Sequence, residues 1–176
     1  MAEAIGIVAS VAALVQLVRY GKKSADALYQ FSRQGGVSQV DVDRCANQIL
    51  SFSLIVGSAH RSLNRHREDC TGSDVLDFIS AHRVFEAITI DAKSVRRRLK
   101  LAARQFSNLA KGKRTLPAFI NWWLHKDAVV SLFPEMERIK TNLTLIILVI
   151  QLELQMKEIK GRSPISPEIK KLEKSV

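Results

Sequence analysis

Apolar residues recur along this chain every three or four positions over long stretches separated by short polar breaks, the spacing of helices that each bury one face. The first stretch, MAEAIGIVASVAALVQLVRY, carries almost no charge for four turns. On a helix, Ile7, Val11, Leu14 and Val18 fall on one narrow line. Ala2, Gly6, Ala9 and Ala13 fall on a neighbouring strip nearly bare of side chain, with Ser10 beside them. The pattern predicts a first helix from about Ala2 to Phe31, bent at Gly21 and stopped by Gln34-Gly35-Gly36, since glycine accepts the left-handed cap.

Ser38 and Asp41 resemble a capping box opening a second helix. Along it Val42, Cys45, Ile49, Phe52, Val56, Ala59 and Leu63 form a packing seam. After the turn Cys70-Thr71-Gly72-Ser73, a third helix is predicted to start at Ser73 or Asp74 and run unbroken to about Asn108. Val84, Phe85, Ile88, Val95, Leu99, Ala102, Phe106 and Leu109 share its apolar face, and Lys93, Arg96, Arg97, Lys100 and Arg104 the opposite one. Pro117 starts a short helix with Trp122 and Trp123, of which one seals the bundle and the other lies nearer the surface. Lys126 to Phe133 reads as a further turn of helix, and a last long helix starts near Pro134. Its seam is Leu132, Met136, Ile139, Leu143, Ile146 and Ile150, and Leu145, Ile147, Leu148 and Val149 fill the other sides. A segment apolar all round predicts the central post of the bundle. The expected fold is therefore all-α: a single bundle of four long helices with short connecting helices over residues 1–160, then a linker or tail, 161–176, with at most a short charged helix.

Composition agrees, with 47% hydrophobic and 25% charged residues, 8 Gly and 4 Pro. The net charge of +10 changes the picture, because it points to an anionic partner: acidic lipid, an acidic protein surface or nucleic acid. Between Lys93 and Arg114 there is no acidic residue, and Lys111, Lys113 and Arg114 extend the row into a basic loop. Such a row is either a solvated face near a helix C-terminus or a surface that meets something negative. No stacking aromatics interleave with it and no nucleic-acid motif is present, so no nucleic-acid partner is expected. Two cysteines, Cys45 and Cys70, make no disulfide framework, and Cys45 reads as a core residue. Glu3 ahead of the opening apolar run and Arg19, Lys22 and Lys23 behind it reverse the charge order of a secretory signal, so a cytoplasmic chain without a constitutive membrane segment is expected.

Catalytic chemistry is not in sight. Gly112-Lys113-Arg114-Thr115 lacks the first glycine and the preceding strand of a phosphate loop. His60, His66 and Cys70 fit no zinc spacing, and there is no nucleophile elbow, paired-carboxylate motif or dinucleotide fingerprint. No enzyme, cofactor or metal site is expected. Asn142-Leu143-Thr144 is a formal glycosylation sequon within a presumed buried helix, hence accidental.

Two segments carry a resemblance. AEAIGIVASVAALVQLVRYGKK resembles the start of the HeLo-like domains at the N-terminus of fungal NACHT and other STAND (NLR-like) receptors. INWWLHKDAVVSLFPEMERIKTNLTLIIL is similar to that family's Trp-containing segment and the Leu-rich helix after it, with Pro134 departing from the pattern. The resemblance covers about Ala2 to Gln155. It implies a bundle related to the HeLo prion-controlled domains and to the killer domain of the mammalian necroptosis pseudokinase. It also implies a pore-forming effector of programmed cell death in fungal innate immunity. An upstream receptor or amyloid-type signalling domain would drive self-oligomerisation, and the first helix would then insert at the plasma membrane. The membrane-active segment implied here is Ala2 to Leu17, with Ala2, Gly6, Ile7, Ala9, Ser10, Val11, Ala13 and Leu14 as the inserting residues. Lys93, Arg96, Arg97, Lys100, Arg104, Lys111, Lys113 and Arg114 would meet anionic lipid or an acidic partner first. The alternative expectation is a non-lytic oligomerisation module whose first helix stays packed.

Overall fold

A computed structural model describes residues 2–33, 39–69, 73–112 and 117–162. Among the described residues six helices follow one another: α1 (Ala2–Ser32), α2 (Gln39–Asp69), α3 (Asp74–Ala81), α4 (Val84–Ala110), α5 (Ala118–Val130) and α6 (Phe133–Arg162). The described residues hold no strand, and the fold is an all-α bundle. Gln34-Gly35-Gly36, Ser38, Cys70, Thr71 and Gly72, where the first helix stop, the capping box and the second turn were expected, lie outside the described residues, as does the tail beyond Arg162.

The centre of the bundle is α1, which packs most extensively on α4 and next on α2. Its inward side supplies Leu14, Leu17, Leu28 and Phe31, all almost wholly buried. Small residues let the neighbours come close. Gly21, expected to bend the helix, lies instead in an unbroken α1 where it crosses α2. A Cβ at Gly21 would stand 1.9 Å from Ser53 Oγ and 3.2 Å from Ser53 Cβ. Ser53 Oγ donates to the Ile49 carbonyl at 2.8 Å, which holds it in that place. On the other side, Ser24 Oγ donates 2.6 Å to the Leu99 carbonyl of α4, with Ala25 and Ala27 buried nearby in sequence. The α2 seam is as the spacing predicts, with Val42, Cys45, Ile49, Phe52, Val56, Ala59 and Leu63 all buried. Burial pushes the Cys45 thiol up, in keeping with a core role.

The elements after α2 depart from the sequence expectation in three places. The third helix is not continuous: it breaks at His82-Arg83 into α3 and α4. Arg83 adopts the left-handed conformation (φ 52°, ψ 29°), and its carbonyl accepts from the Glu86 and Ala87 amides to open α4. The break separates α3, which contacts α1, α4 and α6, from the line of α4 along α1. The last helix is not the central post. It contacts α2, α4 and α3 on one side only, and the other side faces solvent. The short helix and the extra turn expected around Lys126 merge into α5, which ends before Ser131, and α6 begins one residue before Pro134. Proline is tolerated there because first-turn amides have no intrahelical acceptor.

An aromatic cluster packs together residues of α1, α4 and α5. Phe106 packs on Phe31 (ring centroids 5.4 Å apart), on Trp122 (6.0 Å) and edge-on against His125 (6.4 Å). The tryptophan pair divides as expected: Trp122 is 5% exposed and Trp123 75%.

Candidate functional site: a basic face on the central helix pair

The basic residues of α4 are placed by the helix period. Lys93, Arg97, Lys100, Arg104 and Lys111 fall on one line, opposite the buried line of Ile88, Val95, Leu99, Ala102 and Phe106. All five are exposed, and none is ion-paired among the described side chains. Arg96 leaves the row: it is half-buried and donates to Gln16 Oε1 of α1. Lys113 and Arg114 lie outside the described residues. Cations elsewhere on these helices behave differently. Arg98 binds Glu135 at 2.6 Å and Arg138 binds Asp91 at 2.7 Å, pinning α4 to α6, while Lys126 reaches Asp41 at 3.5 Å between α5 and α2. The row therefore stays open while its neighbours are used as structural pairs.

Between α1 and α4 the row borders a groove of about 620 Å³. Tyr20, Lys23, Asp26, Ala27 and Gln30 line it from α1, and Lys100, Ala103, Arg104, Ser107 and Asn108 from α4. The Lys100 ammonium lies 5.9 Å from the centroid of the Tyr20 ring. With Arg19, Lys22 and Lys23 also exposed, α1 adds cations to the same helix pair, and Asp26 is the one carboxylate among the described residues lining the groove. In the sequence these α1 cations read as flanks of the apolar run. What brings them beside α4 is the α1–α4 packing, which no local pattern reports.

The other expected site divides in two. Ala13 and Leu14 are core residues in the folded bundle, 8% and 2% exposed. Leu17, at the end of the implied membrane-active segment, is fully buried. Ala2, Gly6, Ile7, Ala9, Ser10 and Val11 belong to α1 by backbone, and their side chains lie outside the description.

A polar latch, missed at the sequence level, sits at the far end of α2. Ser73 Oγ donates to Glu153 Oε2 at 2.6 Å, His66 Nε2 lies 3.2 Å from Ser73 Oγ, and Lys157 Nζ lies 2.8 Å from Glu153 Oε1. Burial alone would raise the Glu153 carboxyl. Hydrogen bonds from Lys157 and Ser73, with the charge on Lys157 and the His66 ring, outweigh it and hold the group below the ordinary glutamate value. Serine, histidine and a carboxylate meet here, but the serine proton goes to the carboxylate rather than to the ring; with His66 and Ser73 buried and Glu153 partly so, the cluster fastens α6 to the end of α2. Among the described residues no group of three or more His, Cys, Asp or Glu is placed to hold a metal ion. Comparisons with protein-family models, curated proteins and solved structures give no match to this chain.

Proposed function

We propose that this chain is a HeLo-like, membrane-targeting effector domain of a cell-death pathway, which docks on anionic lipid through α4 and acts once copies assemble. The observation that carries the reading is the open row Lys93, Arg97, Lys100, Arg104 and Lys111, exposed and unpaired among the described side chains on a protein of net charge +10. Each cation near an anionic bilayer contributes about 1 kcal/mol, so five acting together give roughly 5 kcal/mol before ordering costs. The resemblance in the first helix and in the Trp-containing segment supports the same reading.

The packing of α1 limits how insertion proceeds. Leu14, Leu17, Leu28 and Phe31 are each worth about 1.5–3 kcal/mol of burial, so withdrawing the whole helix forfeits roughly 6–12 kcal/mol, comparable to a domain's entire stability of about 5–15 kcal/mol. The segment ahead of these anchors in α1 is residues 2–12. At 1.5 Å per residue it reaches about 17 Å, roughly half of a 30 Å hydrocarbon core. One copy is too short to span, and lysis requires assembly.

Co-sedimentation with vesicles tests the reading. Binding to anionic vesicles, weakened by salt and absent with neutral ones, is the expected result. The triple variant Arg97→Glu, Lys100→Glu, Arg104→Glu loses it while keeping its helical circular dichroism. Equal binding of wild type and triple variant would overturn the reading. Dye release from the same vesicles separates a lytic domain from the non-lytic module, a second reading favoured by the burial of α1 from Ala13 onward.

A further inference from the structure

We infer that the groove between α1 and α4 is a headgroup site for phosphatidylserine, a reading that rests on the lipid docking proposed above and names the lipid. The groove is built rather than incidental. Its two walls are fixed to each other: Ser24 Oγ of α1, fully buried, donates 2.6 Å to the Leu99 carbonyl of α4, and Arg96 donates to Gln16 Oε1. Two buried alanines, Ala27 of α1 and Ala103 of α4, line its inner side and leave the space open. Its volume of about 620 Å³ lies in the range of small-molecule sites. Lys100 and Arg104 belong both to the groove and to the basic row, so the groove opens along the face that docks.

The charges in the groove select the headgroup. Three cations line it, Lys23, Lys100 and Arg104, against one carboxylate, Asp26. All four are exposed, and none is ion-paired among the described side chains, although they share one groove. Both signs of charge are therefore open to a ligand. Phosphatidylserine carries the inverse pattern: two anions, its phosphodiester and its serine carboxylate, and one ammonium. The cations take the anions, and Asp26 takes the ammonium, in charge-assisted hydrogen bonds. Phosphatidylglycerol has the same net charge but offers Asp26 only neutral hydroxyls. Phosphatidylethanolamine has the ammonium but a single anion for three cations. The Lys100 ammonium, 5.9 Å from the Tyr20 ring centroid, is steadied on the α1 side of the groove.

Vesicles of matched charge test the assignment. Equal fractions of phosphatidylserine or phosphatidylglycerol in phosphatidylcholine present the same surface charge, so the basic row alone binds both alike. Wild type is expected to bind the phosphatidylserine vesicles about fivefold more tightly, the scale of one partly exposed, hydrogen-bonded ion pair. Asp26→Asn, at an exposed position, is expected to abolish that preference without weakening binding to phosphatidylglycerol, since it removes a negative charge. A general electrostatic or structural effect of the substitution would move both lipids together. Soluble glycerophosphoserine at millimolar concentration is expected to shift the amide resonances of residues 20–30 and 100–108 more than glycerophosphoglycerol does. Equal or reversed vesicle binding by wild type, or a preference that survives Asp26→Asn, overturns the assignment and leaves the docking reading standing. Binding to neither vesicle overturns the docking reading, and the soluble headgroup then decides the groove. Shifts confined to it retain a phosphoserine site away from membranes, and their absence overturns that as well.

Discussion

Gly21 shows how one residue sets the spacing of two helices. Ordinarily alanine in place of a helical glycine gains up to about 1 kcal/mol. Here the added methyl collides with Ser53, whose hydroxyl is tied to the Ile49 carbonyl. Gly21→Ala is therefore expected to destabilise the bundle by about 1–3 kcal/mol. In the Ser53→Ala background most of that loss should disappear, and a chemical-denaturation double-mutant cycle measures the coupling. The Glu153 latch gives a pH signature. Its folded carboxyl titrates below its unfolded value, so its contribution to stability is present above the unfolded value and is lost as pH falls through the folded one. Glu153→Gln should lower stability at neutral pH and flatten this acid limb, read as unfolding free energy against pH. Neither feature was legible in the sequence. Gly21 looked like a bend because glycine usually weakens a helix, and Ser73 and Glu153 lie 80 positions apart.

Among the elements, α2 was fully legible because one seam faces one core, and a single period describes it. The α3–α4 break was not, because Ala81-His82-Arg83 contains neither glycine nor proline and the apolar period runs through it. Arg83 takes the left-handed conformation against local preference, which costs on the order of 1–2 kcal/mol. Arg83→Gly is expected to raise the melting temperature slightly, and a β-branched Arg83→Val to lower it, both measurable by thermal circular dichroism. The last helix was misplaced for a related reason. Apolar residues on all sides fit burial on all sides, but they fit equally well a helix with one seam toward its own bundle and another left exposed. Periodicity counts seams and does not say what covers each.

For the whole molecule, the sequence gives the net charge and the alignment of the α4 row, while the fold decides which cations remain open. Arg98 and Arg138 are consumed in pairs with Glu135 and Asp91, and Lys93, Arg97, Lys100 and Arg104 are left facing outward beside Lys23 of α1. The aromatic cluster ties α1, α4 and α5 into one unit, so Phe106→Ala should cost about 3–5 kcal/mol and unfold the bundle as a whole rather than free α1 alone. In the lipid-docked form proposed above, the inner length of α1 anchors the fold while the basic face, and with it residues 2–12, engages lipid. Amide hydrogen exchange with and without anionic vesicles tests it most directly. Altered exchange is expected over residues 2–12 and 93–111 on vesicle binding, with residues 13–32 retaining protection near that of global unfolding. Unchanged exchange over residues 2–12, or loss of protection across residues 13–32, would contradict it.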